Sequence, residues 1–188
     1  MQRRGFLHVI LASTALTFGT GHTPYRQWVV YRKRHLLIVT SRTDALSYPL
    51  GKRVAELLST HLPASQARVT RAPHTERLAS LISTKQLDVA LLTRHDAMAL
   101  LDGQPPFVDY GPVPLRTIVG MGDYLLVCRD DFPARHAYLV AKTLSLHGAE
   151  LPVLQDVASG TEPAVPLHPG ALAYFQGRPL PDVEAEKQ

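Results

Sequence analysis

The chain has little of what most enzymes and disulfide-bonded proteins depend on. Its 188 residues include one cysteine, Cys128, so an intramolecular disulfide is excluded and the redox compartment stays undefined. There is no Gly-x-Ser-x-Gly nucleophile elbow and no phosphate-binding loop. The nine histidines are scattered, without a pair at metal-ligand spacing on one predicted helix. The sequence therefore predicts a protein that is not an enzyme and that has no cofactor and no metal site.

Acidic residues are missing from the first 35 positions, which contain six basic residues. The rest of the chain has 14 basic and 16 acidic residues, so the overall net charge of +4 comes from the N-terminal segment. A nucleic-acid binder carries an excess of basic charge on its folded part. The remainder of this chain, at a net charge of −2, lacks that excess, and no nucleic-acid partner is expected.

The N-terminus has the pattern of an export signal. Arg3-Arg4-Gly5-Phe6-Leu7 precedes an apolar run to about Thr20, which is short for a membrane-spanning helix of ~20 apolar residues. The paired arginines resemble the twin-arginine export motif. We predict a signal peptide over 1–21, a basic and aromatic linker over 22–35, and a periplasmic protein, tethered if the N-terminus stays uncleaved. An artefact of the start site is the alternative.

Five short runs rich in β-forming residues alternate with helical patterns in the rest of the chain. The predicted strands are 36–40, 67–70, 87–92, 115–119 and 124–128. Alternating strands and helices predict an α/β fold with a mainly parallel sheet flanked by helices. We assign this fold to one lobe, residues 36–176, followed by a polar tail over 177–188.

Proline and hydroxyl residues mark the predicted helix starts. Ser47 and Thr75 are placed as the N-caps of the first two helices, since their hydroxyls can accept a free backbone N–H. Pro133 opens a long helix, and a last helical piece runs from Pro169 to Phe175, because proline is tolerated in a first turn.

Three segments resemble the TAXI family of solute receptors that serve TRAP transporters. They are Tyr48-Pro49-Leu50-Gly51, Leu87–Leu92 followed by Asp96-Ala97, and Pro166–Ala171 followed by Tyr174-Phe175. Each segment is short, but they stand in the order and contexts of the family over about residues 36–176.

The resemblance implies a fold like one lobe of a periplasmic binding protein. Receptors of this family are secreted, two-lobed proteins that close over small anionic solutes, such as dicarboxylates or amino acids, and deliver them to a TRAP membrane subunit. In the family, the strand like Tyr124–Cys128 leads into a second lobe, whereas here Arg129–Pro133 passes directly into a helix. The glycine-rich first loop of the family is replaced by Ser41–Ser47. The chain is therefore expected to be a one-lobed member.

Polar and basic side chains follow the first three predicted strands. The candidate ligand-binding residues are Thr40, Ser41 and Arg42 at the end of the first strand, Arg71 and His74 at the end of the second, and Thr93 and Arg94 at the end of the third. In a parallel sheet these loops meet at one edge, where helix N-termini add N–H donors and arginine binds carboxylates through paired hydrogen bonds. Tyr48 is added because the resemblance puts it near the ligand. The prediction is a pocket for a small anion; arginines that point to solvent are the alternative.

Two other classes of function stay open. If the face exposed by the missing lobe is apolar, the chain is expected to be a non-catalytic accessory protein that docks a membrane protein or a two-lobed receptor. If that face is polar and concave, ligand binding is favoured. A hydrolase would need a nucleophile, a base and an orienting group in mutual reach.

Overall fold

The computed structural model describes residues 34–149, 151 and 164–181, all within one structural unit, Arg32–Gln188. The predicted signal peptide, most of the predicted linker and the end of the predicted polar tail lie outside the described residues. In the described part of the chain, no helix combines the length and the apolar character that crossing a membrane requires.

Short strands alternate with helices along the described chain, and each strand lies within two residues of its predicted position. The strands are β1 (Leu37–Ser41), β2 (Arg68–Ala72), β3 (Val89–Thr93), β4 (Leu115–Met121) and β5 (Tyr124–Arg129). The helices are α1 (Ser47–His61), α2 (Thr75–Ser83), α3 (Arg94–Asp102), α4 (Ala134–His147) and α5 (Pro169–Phe175), with a 3₁₀ turn at Pro63–Ser65.

The strands form one five-stranded sheet in the order β2-β1-β3-β5-β4. β1 pairs in parallel with both β2 and β3, which confirms the prediction for the first three strands. β5 pairs antiparallel with both β3 and β4. The sheet is therefore mixed, and the prediction of a mainly parallel sheet is not confirmed. The physical reason is the link from β4 to β5: Gly122 and Asp123 alone join them, whereas a parallel pair needs a crossover of about a dozen residues.

Helices cover both faces of the sheet. Successive residues of a strand point to opposite faces, so the fully buried Ile38 and Val39 of β1 enter different layers. Ile38 belongs to the layer formed with α1, α4 and α5. Val39 belongs to the layer formed with α2 and α3. Because both faces are covered, the central strands read as continuous apolar runs in the sequence.

The start of α1 differs from the predicted cap. Ser47 is the first helical residue, and its Oγ donates to the backbone carbonyls of Ser41 and Asp44. The acceptor for the free N–H groups is the Asp44 carboxylate, whose Oδ1 lies 3.0 Å from the Leu46 nitrogen and 3.3 Å from the Ser47 nitrogen. The prediction of a Ser47 cap is wrong because Ser47 lies inside the helix, its hydroxyl donates to the preceding loop, and the Leu50 N–H already donates to the Leu46 carbonyl.

The start of α2 is displaced by one residue from its predicted cap. His74 is the N-cap, and its Nδ1 accepts the Arg77 N–H at 3.2 Å. Thr75 is the first helical residue, and its hydroxyl donates instead to Ser41 Oγ at 3.2 Å. The prediction of a Thr75 cap is therefore wrong, since that hydroxyl is engaged with the end of β1.

The segment before α5 lies along the β4 edge of the sheet. The Thr117 N–H donates to the Pro166 carbonyl, and the His168 N–H donates to the Thr117 carbonyl, both at 2.8 Å. The buried His168 then caps α5 by accepting the Gly170 N–H at 3.1 Å. The prediction that residues 168–175 pack on the sheet is confirmed, since Ala171 is fully buried in the layer that contains α4.

Candidate functional site

The strand order creates a topological switch point at the carboxyl ends of β1 and β3. The chain leaves β1 toward α1 on one face of the sheet and leaves β3 toward α3 on the other. Diverging loops of this kind mark the switch point at which open α/β sheets bind ligands. β5 begins at the same edge, where Tyr124 pairs with Thr93. We call the site the switch-point crevice and define it as residues 41–47, 93–96 and 122–124.

Hydroxyl groups tie the loop after β1 to the start of α2. Ser41 Oγ accepts from Thr75 Oγ1 and from the Thr43 N–H, each at 3.2 Å, and lies 2.7 Å from Thr43 Oγ1. Ser41 is 3% exposed, whereas Thr43 is on the surface. The predicted residue Ser41 therefore holds the loop in shape, and Thr43 presents the hydroxyl that a ligand can reach.

Asp44 and Tyr124 join two loops of the crevice, and the sequence analysis missed both. Tyr124 Oη donates to Asp44 Oδ1 at 2.8 Å, across 80 positions of sequence. The same oxygen accepts the two N–H groups at the start of α1. The hydrogen bonds of the described residues do not use Asp44 Oδ2, so that oxygen can accept a hydrogen bond from a ligand. An aspartate three residues before a predicted helix was the available signal for Asp44; Tyr124 has no local signal.

The surroundings of Tyr124 are acidic. Burial is the main cause that raises the pKa of Tyr124 from 10.0 to about 12, and the hydrogen bond to Asp44 adds to it. The charges of Asp44, Asp123 and Asp96 act in the same direction, since each disfavours a second negative charge nearby. The same field opposes an anionic group close to Tyr124 and favours a cationic one.

The predicted cations divide between two places. The guanidinium carbon of Arg71 lies 4.5 Å from the centre of the Tyr48 ring, in the first turn of α1. Arg42 lies in the loop after β1 and Arg94 is the first residue of α3, so both belong to the switch-point crevice. The backbone N–H of Arg94 donates to the backbone carbonyl of Asp123 at 2.8 Å, and this hydrogen bond connects α3 to the β4–β5 turn. Arg42 and Arg94 are therefore the two predicted cations at the crevice, while Arg71 and Tyr48 form a cation–π pair beside the edge strand β2.

Two predicted site residues have structural hydrogen bonds. Thr40 is fully buried under α1, and its Oγ1 donates to the Thr70 carbonyl at 3.0 Å. Thr93 caps α3, because its Oγ1 accepts the Asp96 N–H at 3.1 Å. Both hydroxyls are used within the protein, so these residues shape the site and present little to a solute.

His74 lies at the start of α2, next to Thr75. Its Nδ1 is 3.2 Å from the Arg77 nitrogen and 3.0 Å from Glu76 Oε2. One nitrogen cannot accept from Arg77 and donate to Glu76 at once, so the two contacts belong to different protonation states of the ring. A hydrogen bond from its own backbone N–H, followed by the contact with His74, lowers the pKa of Glu76.

No protein-family model matches this chain, and no curated protein matches it. The resemblance to the TAXI receptors stays a prediction. Within the described residues, no cluster of three or more His, Cys, Asp or Glu side chains could hold a metal ion. Cys128 is fully buried in β5, and burial raises its pKa, so the thiol is protonated and unreactive.

The residues of the crevice include both donors and acceptors of hydrogen bonds. They include hydroxyls and the side chains of Arg42 and Arg94, and carboxylates lie near Tyr124. Donors and carboxylates in close succession suit a ligand that carries charge of both signs.

Proposed function

We propose that the chain is an exported, one-lobed relative of the TAXI receptors that binds a small carboxylate-bearing solute in the switch-point crevice, for delivery to a TRAP-type membrane subunit. The observation that carries the proposal is the topological switch point, where the chain leaves β1 and β3 toward opposite faces of the sheet. The antiparallel strand β5 supports the proposal, because it brings Tyr124 next to Thr93 at the carboxyl end of β3.

Within the two expected ligand classes, the charges favour amino acids over dicarboxylates. A dicarboxylate would bring a second negative charge toward Asp44, Asp96 and Asp123, which already raise the pKa of Tyr124. An amino acid would direct its ammonium group to these carboxylates and its carboxylate to Arg42 or Arg94. The proposed ligand is therefore a small amino acid, an acidic one included.

The test compares pairs of solutes that differ only in the ammonium group. L-glutamate and glutarate form one pair, and L-aspartate and succinate form the other. Without a second lobe the ligand stays partly hydrated, so affinities on the order of micromolar to millimolar are expected, ~4–8 kcal/mol. At ten times its Kd, a bound amino acid raises Tm by roughly 3–6 °C, and the partner without the ammonium group raises it less.

Two variants connect that result to the crevice. Arg94→Ala should weaken binding about fivefold, ~1 kcal/mol, whereas Lys142→Ala, an exposed cation on α4, should leave it unchanged. Asp44→Asn keeps an oxygen that can cap α1 but removes the charge. In each solute pair, the ratio of the affinity for the amino acid to the affinity for the dicarboxylate should therefore fall toward one. The proposal fails if none of the four solutes raises Tm.

The docking alternative is favoured by one observation. Leu46 is 67% exposed in the crevice loop, between Asp44 and the first turn of α1. An apolar side chain in that place suits a protein partner better than a charged solute. Under this alternative, Leu46→Ser weakens binding of a two-lobed receptor or a TRAP membrane subunit without changing any Tm shift by amino acids.

Export through the twin-arginine route is a separate part of the proposal. Changing Arg3 and Arg4 to Lys should stop the protein from reaching the periplasm, as followed by fractionation. Unchanged export of that variant would exclude this route and leave general secretion.

A further inference from the structure

α1 and α4 both end in histidine, and the two rings stack. The ring centres of His61 and His147 are 3.7 Å apart, and the ring planes are 3° from parallel. Both side chains are exposed. A neutral imidazole ring has one nitrogen lone pair that can bind a metal ion.

The pair lies far from the switch-point crevice. α1 begins at the carboxyl end of β1 and runs for 15 residues to His61, next to the 3₁₀ turn that leads into β2. A helix of that length extends about 22 Å. The histidine pair and the crevice therefore stand at opposite ends of α1, and what happens at one is independent of the proposed function of the other.

We propose that His61 and His147 together bind one divalent transition-metal ion, with water at the remaining coordination positions. Imidazole nitrogen is a good ligand for Ni²⁺, Cu²⁺ and Zn²⁺, and Mg²⁺ prefers oxygen. Each histidine is in the last turn of its helix, where the negative end of the helix dipole favours a cation. Since the two ligands come from helices far apart in the sequence, their spacing along the chain gives no sign of the site.

Binding requires a local rearrangement of the rings. In the stack, the nitrogen lone pairs lie in parallel planes and do not converge on one point. Rotation of one exposed ring about its Cβ–Cγ bond turns a nitrogen toward the other ring's nitrogen. Within the described residues, neither side chain makes a hydrogen bond that this rotation would break. The ion then replaces the stacking contact as the connection between α1 and α4.

The experiment uses the full chain without an affinity tag and Ni²⁺ as the probe. Ni²⁺ at ten times its Kd should raise Tm by roughly 3–6 °C, and Mg²⁺ at the same concentration should not. His61→Gln and His147→Gln should each abolish the rise. The matched control is His95→Gln, which removes an exposed histidine 3.4 Å from Asp96 and should leave the rise intact.

A second measurement keeps the test sharp if a variant loses stability. In an amide NMR titration of the unaltered protein, substoichiometric Ni²⁺ should broaden the resonances around His61 and His147 together. The proposal is overturned if Ni²⁺ gives no rise in Tm, if the rise survives both Gln variants, or if broadening centres on His95.

Discussion

The two halves of the sheet are built differently. In the parallel half, β2-β1-β3, a helix follows each strand, and the outer strand β2 has one buried residue, Ala72. In the antiparallel half, β5-β4, every residue is buried except Arg116 and Tyr124. The antiparallel half is therefore the better-packed part of the fold, and the parallel half contributes most of the loops of the crevice. The hydrogen bond from Tyr124 to Asp44 connects the antiparallel half to the loop after β1 in the parallel half.

The largest expected effect comes from truncating one side chain in each half, in the inner strand β5 and in the edge strand β2. Leu126→Ala leaves a cavity at a fully buried position of β5 and should lower the free energy of unfolding by about 2–5 kcal/mol. Val69→Ala in the half-buried β2 should cost about 1 kcal/mol. Urea denaturation measures both. Equal losses would contradict the view that the antiparallel half is the more tightly packed.

Substitution of one glycine in α5 and one in α1 compares how tightly these two helices are packed. A methyl group at Gly170 of α5 would collide with the backbone carbonyl of Ala134, which cannot move without shifting α4. A methyl group at Gly51 of α1 would stand 2.8 Å from the Thr40 methyl carbon, and that side chain can give way. Gly170→Ala should therefore cost about 2–3 kcal/mol and Gly51→Ala about 1 kcal/mol. A larger loss for Gly51→Ala in thermal unfolding would reverse the comparison.

The contact between the halves can be removed without changing shape. Tyr124→Phe deletes the hydroxyl that donates to Asp44 and should lower stability by about 1 kcal/mol, or Tm by roughly 2–4 °C. The matched variant Tyr138→Phe deletes a more exposed hydroxyl that donates to the Arg178 carbonyl, and its effect should be smaller. If the two variants are equally stable, the Tyr124 contact does not tie the halves together.

The smallest expected effect is on the pH dependence of the free energy of unfolding. It concerns Asp131 and Asp88, at the end of the β3–β5 pair that is opposite to Tyr124. The hydrogen bond from Lys85 and that from Arg129 hold the pKa of Asp131 below its usual 3.8. A lowered pKa contributes stability that is present above the unfolded-state pKa and is lost as the pH falls through the folded-state pKa. Because Asp131 is partly exposed, Asp131→Asn should lower the free energy of unfolding by under about 1 kcal/mol at pH 7. The loss should shrink toward zero as the pH falls toward about 2.

Asp88 should behave in the opposite way. Partial loss of hydration, with the charge of Asp131, raises the pKa of Asp88 above 3.8. Because the residue is exposed, its charged form destabilises the fold only slightly at neutral pH. Asp88→Asn should slightly stabilise the protein at pH 7 and make no difference below about pH 3. Unfolding curves over pH 2–7 measure both aspartate variants, and parallel curves for all three proteins would contradict these assignments.

The strands and helices could be predicted from the sequence because they rest on local patterns. The apolar runs and the proline positions correctly indicated each strand and the helices after Pro133 and His168. The direction of β5 could have been inferred from the short link through Gly122 and Asp123, but its position beside β3 depends on packing between residues far apart in the chain. Alternation of strands and helices is a weaker guide to sheet direction than the length of each connection.

The candidate site could be predicted only in part. The loops after β1 and β3 were identified because strand ends are visible in the sequence. The roles of their side chains were not visible: Asp44 rather than Ser47 satisfies the first turn of α1, and the Thr75 hydroxyl turns to Ser41. Competition between neighbouring polar groups for the same backbone donors is decided by geometry within a few tenths of an ångström, which residue order does not specify.

The central claim is that the switch-point crevice binds an amino acid through contacts from both β1 and β3. An amide NMR titration with L-glutamate, with glutarate as the matched solute, tests it most directly. The account predicts shifts at residues 42–47 and 93–96 together, with glutamate binding about fivefold more tightly than glutarate, ~1 kcal/mol, and no shifts around Lys85 and Asp131. Shifts confined to one loop, no shifts at either loop, or tighter binding of glutarate would contradict it.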